Sequence, residues 1–147
     1  MKPLAVVGGF IGKYPVAGMT LYNLHYLIGL QQLGYDVHYV ERVSEGEKWY
    51  DPSSDTVTDN WSFAVDYLAK TLHEYGITHD RFSFVDGLGA CHGSGWANLK
   101  AALSRADFLL TLADATWFDE LGMVAHRAFL DGDPMLTQAQ MLDPEDT

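Results

Sequence analysis

The chain has 147 residues and a mass of 16.4 kDa, room for one domain and for a sizeable core without a metal or disulfide staple. Apolar residues make up 48% and aromatics 13%, which excludes a disordered chain. Nine basic against 20 acidic residues leave a formal charge of −11, which disfavours nucleic acid and anionic membranes as partners, and a single cysteine excludes an internal disulfide and suits a reducing, cytoplasmic setting.

Leu4-Ala5-Val6-Val7 is a continuous apolar run ended by Gly8-Gly9, as expected of a strand buried on both faces rather than of a leader peptide. No stretch approaches the roughly 20 apolar residues of a membrane span. After a loop over 10–17, Leu21, Leu24, Leu27, Ile28, Gln31 and Leu33 keep helical spacing, and Gly34 terminates that helix. Asp36 to Glu41 reads as the second strand. The polar stretch 42–58 reads as a long loop. Asp59 is placed to cap a helix whose inward face is Trp61, Ala64, Val65, Leu68, Leu72 and Tyr75, stopped by Gly76.

Phe82 to Val85 reads as the third strand. A Gly-rich loop from Asp86 to Gly95 leads to a helix capped by Ser94, with Trp96, Leu99, Ala102 and Leu103 inward. Asp107 to Leu112 and Ala125 to Leu130 read as the fourth and fifth strands. Asp133-Pro134 opens a last helix over 135–142. Alternating strands and helices imply one α/β domain over 1–147: a Rossmann-like, three-layer α/β/α arrangement around a parallel sheet of about five strands, in the order 3-2-1-4-5. Val6, Val40, Phe84 and Leu110 are expected to be buried. Ligands of such sheets sit outside the carboxyl ends of the strands, beside the first strand.

Several loops at that edge carry candidate chemistry. Gly8-Gly9-Phe10-Ile11-Gly12-Lys13 has the small residues that let a ligand approach the backbone, but it matches neither G-x-G-x-x-G nor the P-loop pattern. Gly8, Gly9, Gly12, Lys13, Gly18 and Met19 are the ligand-binding candidates there. The segment 87–95 contains G-x-G-x-x-x-G, with Asp114 about 20 residues on, an arrangement similar to a dinucleotide fingerprint. Against that reading, the fingerprint normally follows the first strand. Cys91 and His92 are sequence neighbours, a poor arrangement for a thiol and its base. Asp131 and Asp133 add carboxylates at the end of the fifth strand, Asp133 being also a good cap before Pro134. His92 and Asp131 are the candidate bases. No histidine spacing suggests a metal site.

Ala17-Gly18-Met19 leading into Leu24 to Glu41, with its "L-x-x-L-G-Y-D-V" step from helix to strand, resembles the opening of bacterial GT-B glycosyltransferases. Arg105-Ala106-Asp107-Phe108-Leu109-Leu110 is similar to that family's step into its fourth strand. Asp131-Gly132-Asp133-Pro134 with Gln138 is similar to its "D-x-D-P…Q" turn. The resemblance spans nearly the whole chain. Leu21, Tyr22 and Asn23 stand where family members carry an aromatic-His pair. The resemblance implies the acceptor-side half of a glycosyltransferase whose C-terminal, donor-binding half is missing, the chain being a fragment, a truncated gene product or a stand-alone half. It implies a sugar or other hydroxyl-bearing acceptor as ligand, a nucleotide-sugar donor held by the missing half, no cofactor on this chain and no activity alone. It also implies an apolar cleft face (Phe10, Ile11, Tyr14, Met19, Trp117 and Phe118) that meets the missing domain or a second copy. A nucleotide- or dinucleotide-binding module built on 87–95 with Asp114, and a non-catalytic interaction domain, are the alternative expectations.

Overall fold

The structure, a computed structural model, describes residues 1–113, 116–132, 135, 138, 139 and 142. Its central element is a six-stranded, mostly parallel sheet. β1 (Leu4–Gly8), β2 (Asp36–Arg42), β5 (Phe82–Val85), β6 (Cys91–Gly93), β7 (Phe108–Leu112) and β8 (Arg127–Leu130) lie in the order β6-β5-β2-β1-β7-β8. All pairings are parallel except β5 with β6, where Ser83 faces Gly93, Phe84 faces His92 and Val85 faces Cys91. A separate antiparallel pair, β3 (Trp49–Asp51) and β4 (Thr56–Thr58), forms a hairpin. The helices are α1 (Ala17–Gln32), α2 (Ser62–Glu74) and α3 (Gly95–Arg105).

Every residue of β1 is buried: strands flank both its edges, and Val7 and Val6 join separate hydrophobic clusters. Alternation along the strands sorts the core into two clusters. Val7, Tyr39 and Phe84 pack with Leu24 and Leu27 of α1 and Ala64, Leu68 and Leu72 of α2. Val6, Val40 and Val85 pack with Leu99 and Leu103 of α3. Leu110 is half-buried against the first cluster, whereas Val6, Val40 and Phe84 are fully buried.

Several expectations are corrected. The stretch 42–58 is not one loop: β3 and β4 pair within it, and Trp49 anchors the hairpin by stacking on Trp61 at 5.6 Å. The Gly-rich segment 87–95 is a tight turn followed by an edge strand, so the sheet is not wholly parallel. On α1, Leu21 and Leu33 face solvent, while polar Thr20 and Asn23 point inward, where Tyr67 and the loop after β1 supply their partners. Tyr75 is exposed rather than inward. At α2, Asn60 rather than Asp59 accepts the Ser62 amide. Ser94 precedes α3 without capping it through its side chain; its hydroxyl is hydrogen-bonded to Ser83 at 2.7 Å. The helix expected over 135–142 lies largely outside the described residues.

The β5–β6 turn depends on Gly93. Its φ is +81°, and a Cβ there would sit 2.4 Å from the Phe82 carbonyl oxygen. Gly93→Ala is expected to destabilise by about 1–3 kcal/mol or more, since strain and collision act together. Gly18→Ala, in a helix and with open space around the new methyl group, is expected to stabilise by about 0.5–1 kcal/mol. Urea unfolding of the two variants measures both; equal effects would contradict this account.

Candidate functional site

The loop after β1 turns its amides inward. The Phe10 amide donates to Asn23 Oδ1 at 3.2 Å and the Ile11 amide to the Tyr39 hydroxyl at 2.9 Å. The Gly12 amide meets both Glu41 carboxylate oxygens at 3.0 and 2.9 Å, and the Lys13 amide donates to Glu41 Oε1 at 3.3 Å. Thr116 donates to the Gly9 carbonyl, and the Gly9 amide donates to Val40. The glycines here serve contact with the chain itself. A Cβ on Gly9 would lie 2.2 Å from Asn23 Oδ1, and one on Gly12 would lie 2.8 Å from Glu41 Oε2. Gly8 is enclosed in the sheet beside Thr111. The amides that an open phosphate loop would present are therefore engaged by Asn23, Tyr39 and Glu41. Gly18 and Met19 lie in the first turn of α1; Met19 is exposed, and its carbonyl accepts from Asn23 Nδ2.

Burial pushes the Glu41 carboxyl up from 4.5 to about 7, outweighing the amides of Gly12 and Lys13, the Lys13 charge and the Tyr39 hydroxyl, which all favour the carboxylate. Tyr39 is itself raised by burial and by the adjacent Glu41 charge.

A cavity of about 550 Å³ opens beyond β2 and β5, at the carboxyl edge. The segments flanking the β3–β4 hairpin contribute, Gly46 and Glu47 before β3 and Asp59 and Asn60 after β4. Trp61, Ser62, Val65 and Asp66 come from α2 and its start, Asp86, Gly87 and Leu88 from the turn after β5, and His92 from β6. Glu47 forms an ion pair with Lys13, which ties the cavity wall to the loop after β1. Asp86 organises the opposite wall. Its Oδ1 accepts the Leu88 and Ala90 amides, both at 2.9 Å, and its Oδ2 lies 2.7 Å from His92 Nε2. Burial opposes ionisation of Asp86, but the His92 contact and the two amides prevail and hold it below the usual carboxylate range. His92 remains partly open to solvent, its side chain 40% exposed.

The arrangement thus offers a hydrogen-bond acceptor surface of Asp59 and Asp66 and an imidazole fixed by Asp86 at one nitrogen. With Nε2–H donating to Asp86, Nδ1 is the basic nitrogen. A second polar cluster lies on the α3 side of β2. There buried His38 contacts Ser83 through Nε2 at 2.9 Å, and Ser83 contacts Ser94. Burial lowers His38 from 6.5 to about 4. Cys91 is partly buried, and burial raises its thiol, the opposite of what a nucleophile needs.

The chain matches no protein-family model, no curated protein and no solved structure. Among the described residues no group of three or more His, Cys, Asp or Glu is placed to hold a metal ion, and no helix is long and apolar enough to cross a membrane.

His92 and Asp131, the two bases suggested by sequence, are not brought together. His92 is on β6 and Asp131 follows β8, the two edges of the sheet. Four strands separate them, roughly 24 Å at the usual interstrand spacing. Asp131 lies near Tyr22 of α1, whose hydroxyl is raised first by burial and then by Tyr26 and the Asp131 charge. Asp114 and Asp133 lie outside the described residues. The expected apolar face is smaller than the sequence suggested: Phe10, Ile11 and Phe118 are buried, leaving Tyr14, Met19 and Trp117 exposed.

Sequence reasoning missed Glu41, Asp86, Asp59 and Asp66. Glu41 carried a signal. It stands at the end of the second strand as read from sequence, two residues beyond Tyr39, so both project from one face. Asp86 carried none beyond its place after a strand, because its partner is set by a turn and an edge pairing.

Proposed function

We propose that this chain binds a neutral, hydroxyl-bearing small molecule in the cavity beside the hairpin, as the acceptor side of a GT-B-like glycosyltransferase whose nucleotide-sugar donor is held by another domain. The observation that carries the reading is the Asp86–His92 pair at the wall of a carboxylate-lined cavity at the carboxyl edge of the sheet. Ionised carboxylates accept hydrogen bonds from sugar hydroxyls and repel phosphates. Asp86 orients the imidazole, and His92 Nδ1 takes the proton of an acceptor hydroxyl as that oxygen bonds to the sugar carbon of the donor and the bond from that carbon to the donor diphosphate breaks, the nucleoside diphosphate leaving with the electron pair. Engagement of the Phe10–Lys13 amides by the chain's own side chains supports placing the donor diphosphate elsewhere. A Rossmann-like layering with the parallel core order 3-2-1-4-5 belongs to the same reading. The isolated chain is expected neither to transfer nor to hydrolyse sugar.

Calorimetric titration tests this. Within a panel of neutral mono- and disaccharides at least one is expected to bind, and Asp59→Asn with Asp66→Asn to weaken it by about tenfold, roughly 1.4 kcal/mol. Nucleotide sugars and NAD(H) are expected to bind no tighter than roughly millimolar, about −4 kcal/mol. Micromolar binding of a nucleotide sugar would place the donor site on this chain. Micromolar binding of NAD(H) would favour a dinucleotide module instead.

A further inference from the structure

We propose that the loop after β1 is an anion nest whose anion the chain supplies itself: the Glu41 carboxylate occupies the place of a bound oxyanion and bars phosphorylated ligands from this loop. Consecutive backbone amides converging on one point form a concavity suited to anions. Here Gly12 and Lys13 converge on Glu41 within 3.3 Å, and Ile11 and Phe10 are held by Tyr39 and Asn23 alongside. The carboxylate is fully enclosed, and the glycine at position 12 lets it approach the backbone more closely than a Cβ would allow.

Among the described residues, few groups face Glu41. Tyr39 of β2 is hydrogen-bonded to it, and Lys13 of the loop supplies an amide and a positive charge, itself paired with Glu47. Beside Gly12 lie the Phe84 ring of β5 and the Ala64 carbonyl of α2, neither of them ionisable, and α1 contributes uncharged Asn23. Glu41 is therefore the residue that sets the charge class this loop accepts. Without it, the nest becomes a site for a small oxyanion. This inference does not depend on what the neighbouring cavity binds.

The test is thermal unfolding of the full chain as wild type, Glu41→Ala and Glu41→Gln, each in sodium formate and in sodium chloride of equal ionic strength. Glu41→Ala leaves room for formate, whereas Glu41→Gln fills the nest with an uncharged isostere. Formate at about tenfold over its dissociation constant is expected to raise the midpoint of Glu41→Ala by roughly 3–6 °C over chloride and to leave the other two unmoved. If Glu41→Ala is unfolded in chloride, formate is expected to restore its near-ultraviolet circular dichroism. A formate effect equal in all three proteins, or absent from Glu41→Ala, overturns the proposal. Independently, the Gly12 and Lys13 amide proton resonances of the wild type are expected to titrate near neutral pH and to stay fixed in Glu41→Gln. Amides that do not move in the wild type also overturn it.

Discussion

Trp61→Ala is expected to lower the free energy of unfolding by about 3–5 kcal/mol, the range for deleting a large buried aromatic side chain. Trp61 is 6% exposed and joins three elements. It stacks on Trp49 of the hairpin at 5.6 Å, tilts against Phe84 of β5 at 5.6 Å, and stands at the start of α2. Trp49 in turn stacks on Phe63, and its indole N–H donates to the Asn60 carbonyl. Removing Trp61 leaves a void that neither the sheet nor the helix can close, and it loosens the hairpin whose flanking segments line the cavity. Urea unfolding measures the stability loss, and saccharide binding at a temperature where the variant is still folded measures the second effect. Tyr50→Ala, on the solvent side of the same hairpin, is expected to change stability by no more than about 0.5 kcal/mol. Comparable costs for the two variants would refute the hairpin-anchor account.

The second large effect is hidden in the wild type and emerges in variants. His38 is lowered from 6.5 unfolded to about 4 folded, because burial penalises its charged form. Its contribution to stability is present above pH 6.5 and is lost as pH falls toward 4. Glu41 is raised from 4.5 to about 7, again by burial. Its contribution is full below pH 4.5 and is lost as pH rises through 7. Between about pH 4.5 and 6.5 the folded chain holds one extra proton at Glu41 and the unfolded chain one extra at His38, so the two slopes cancel. Each slope alone is about 1.4 kcal/mol per pH unit. Glu41→Gln is therefore expected to lose about 3 kcal/mol from pH 6.5 to 4, and His38→Gln to gain about 3 kcal/mol from pH 7 to 4.5. Asp86, held low by its partners, acts below this window. Unfolding free energies of the three proteins across pH 4.5–6.5 decide the matter; parallel curves would show that the two buried groups do not titrate as their burial implies.

The elements that local pattern determines were legible. Leu4–Gly8, Phe82–Val85 and Phe108–Leu112 are mainly apolar runs bounded by polar or small residues, and such runs have few places to go but a covered sheet. Gly34 and Gly76, at φ of +93° and +79°, end their helices because only glycine enters that region without cost. The hairpin at 49–58 was not legible. Its strands are three residues each, and Trp49 is buried only because Trp61 and Phe63 come to meet it from α2. The inward face of α1 was legible only in part: Thr20 and Asn23 are inside because Tyr67 and the Phe10 amide are there to bond them.

The candidate site divides along the same line. That loops collect at the carboxyl edge of a mainly parallel sheet, and that the segment carrying His92 is among them, follow from strand order and apolar pattern. The glycine loop after β1 was visible as a backbone made for close approach. What approaches it was not, because Glu41 is 29 residues away and reaches Gly12 only once β1 and β2 are paired in register. The pairing of Asp86 with His92 likewise exists only because β6 folds back antiparallel on β5. The separation of Asp131 from His92 exists only because their strands end at opposite edges. Sequence pattern alone determined the main strands and helices of the core, since their burial answers to local hydrophobic periodicity. Which polar groups meet was decided by tertiary structure alone, since hydrogen bonds between distant residues depend on strand order and register, and neither is written in the composition of any single segment.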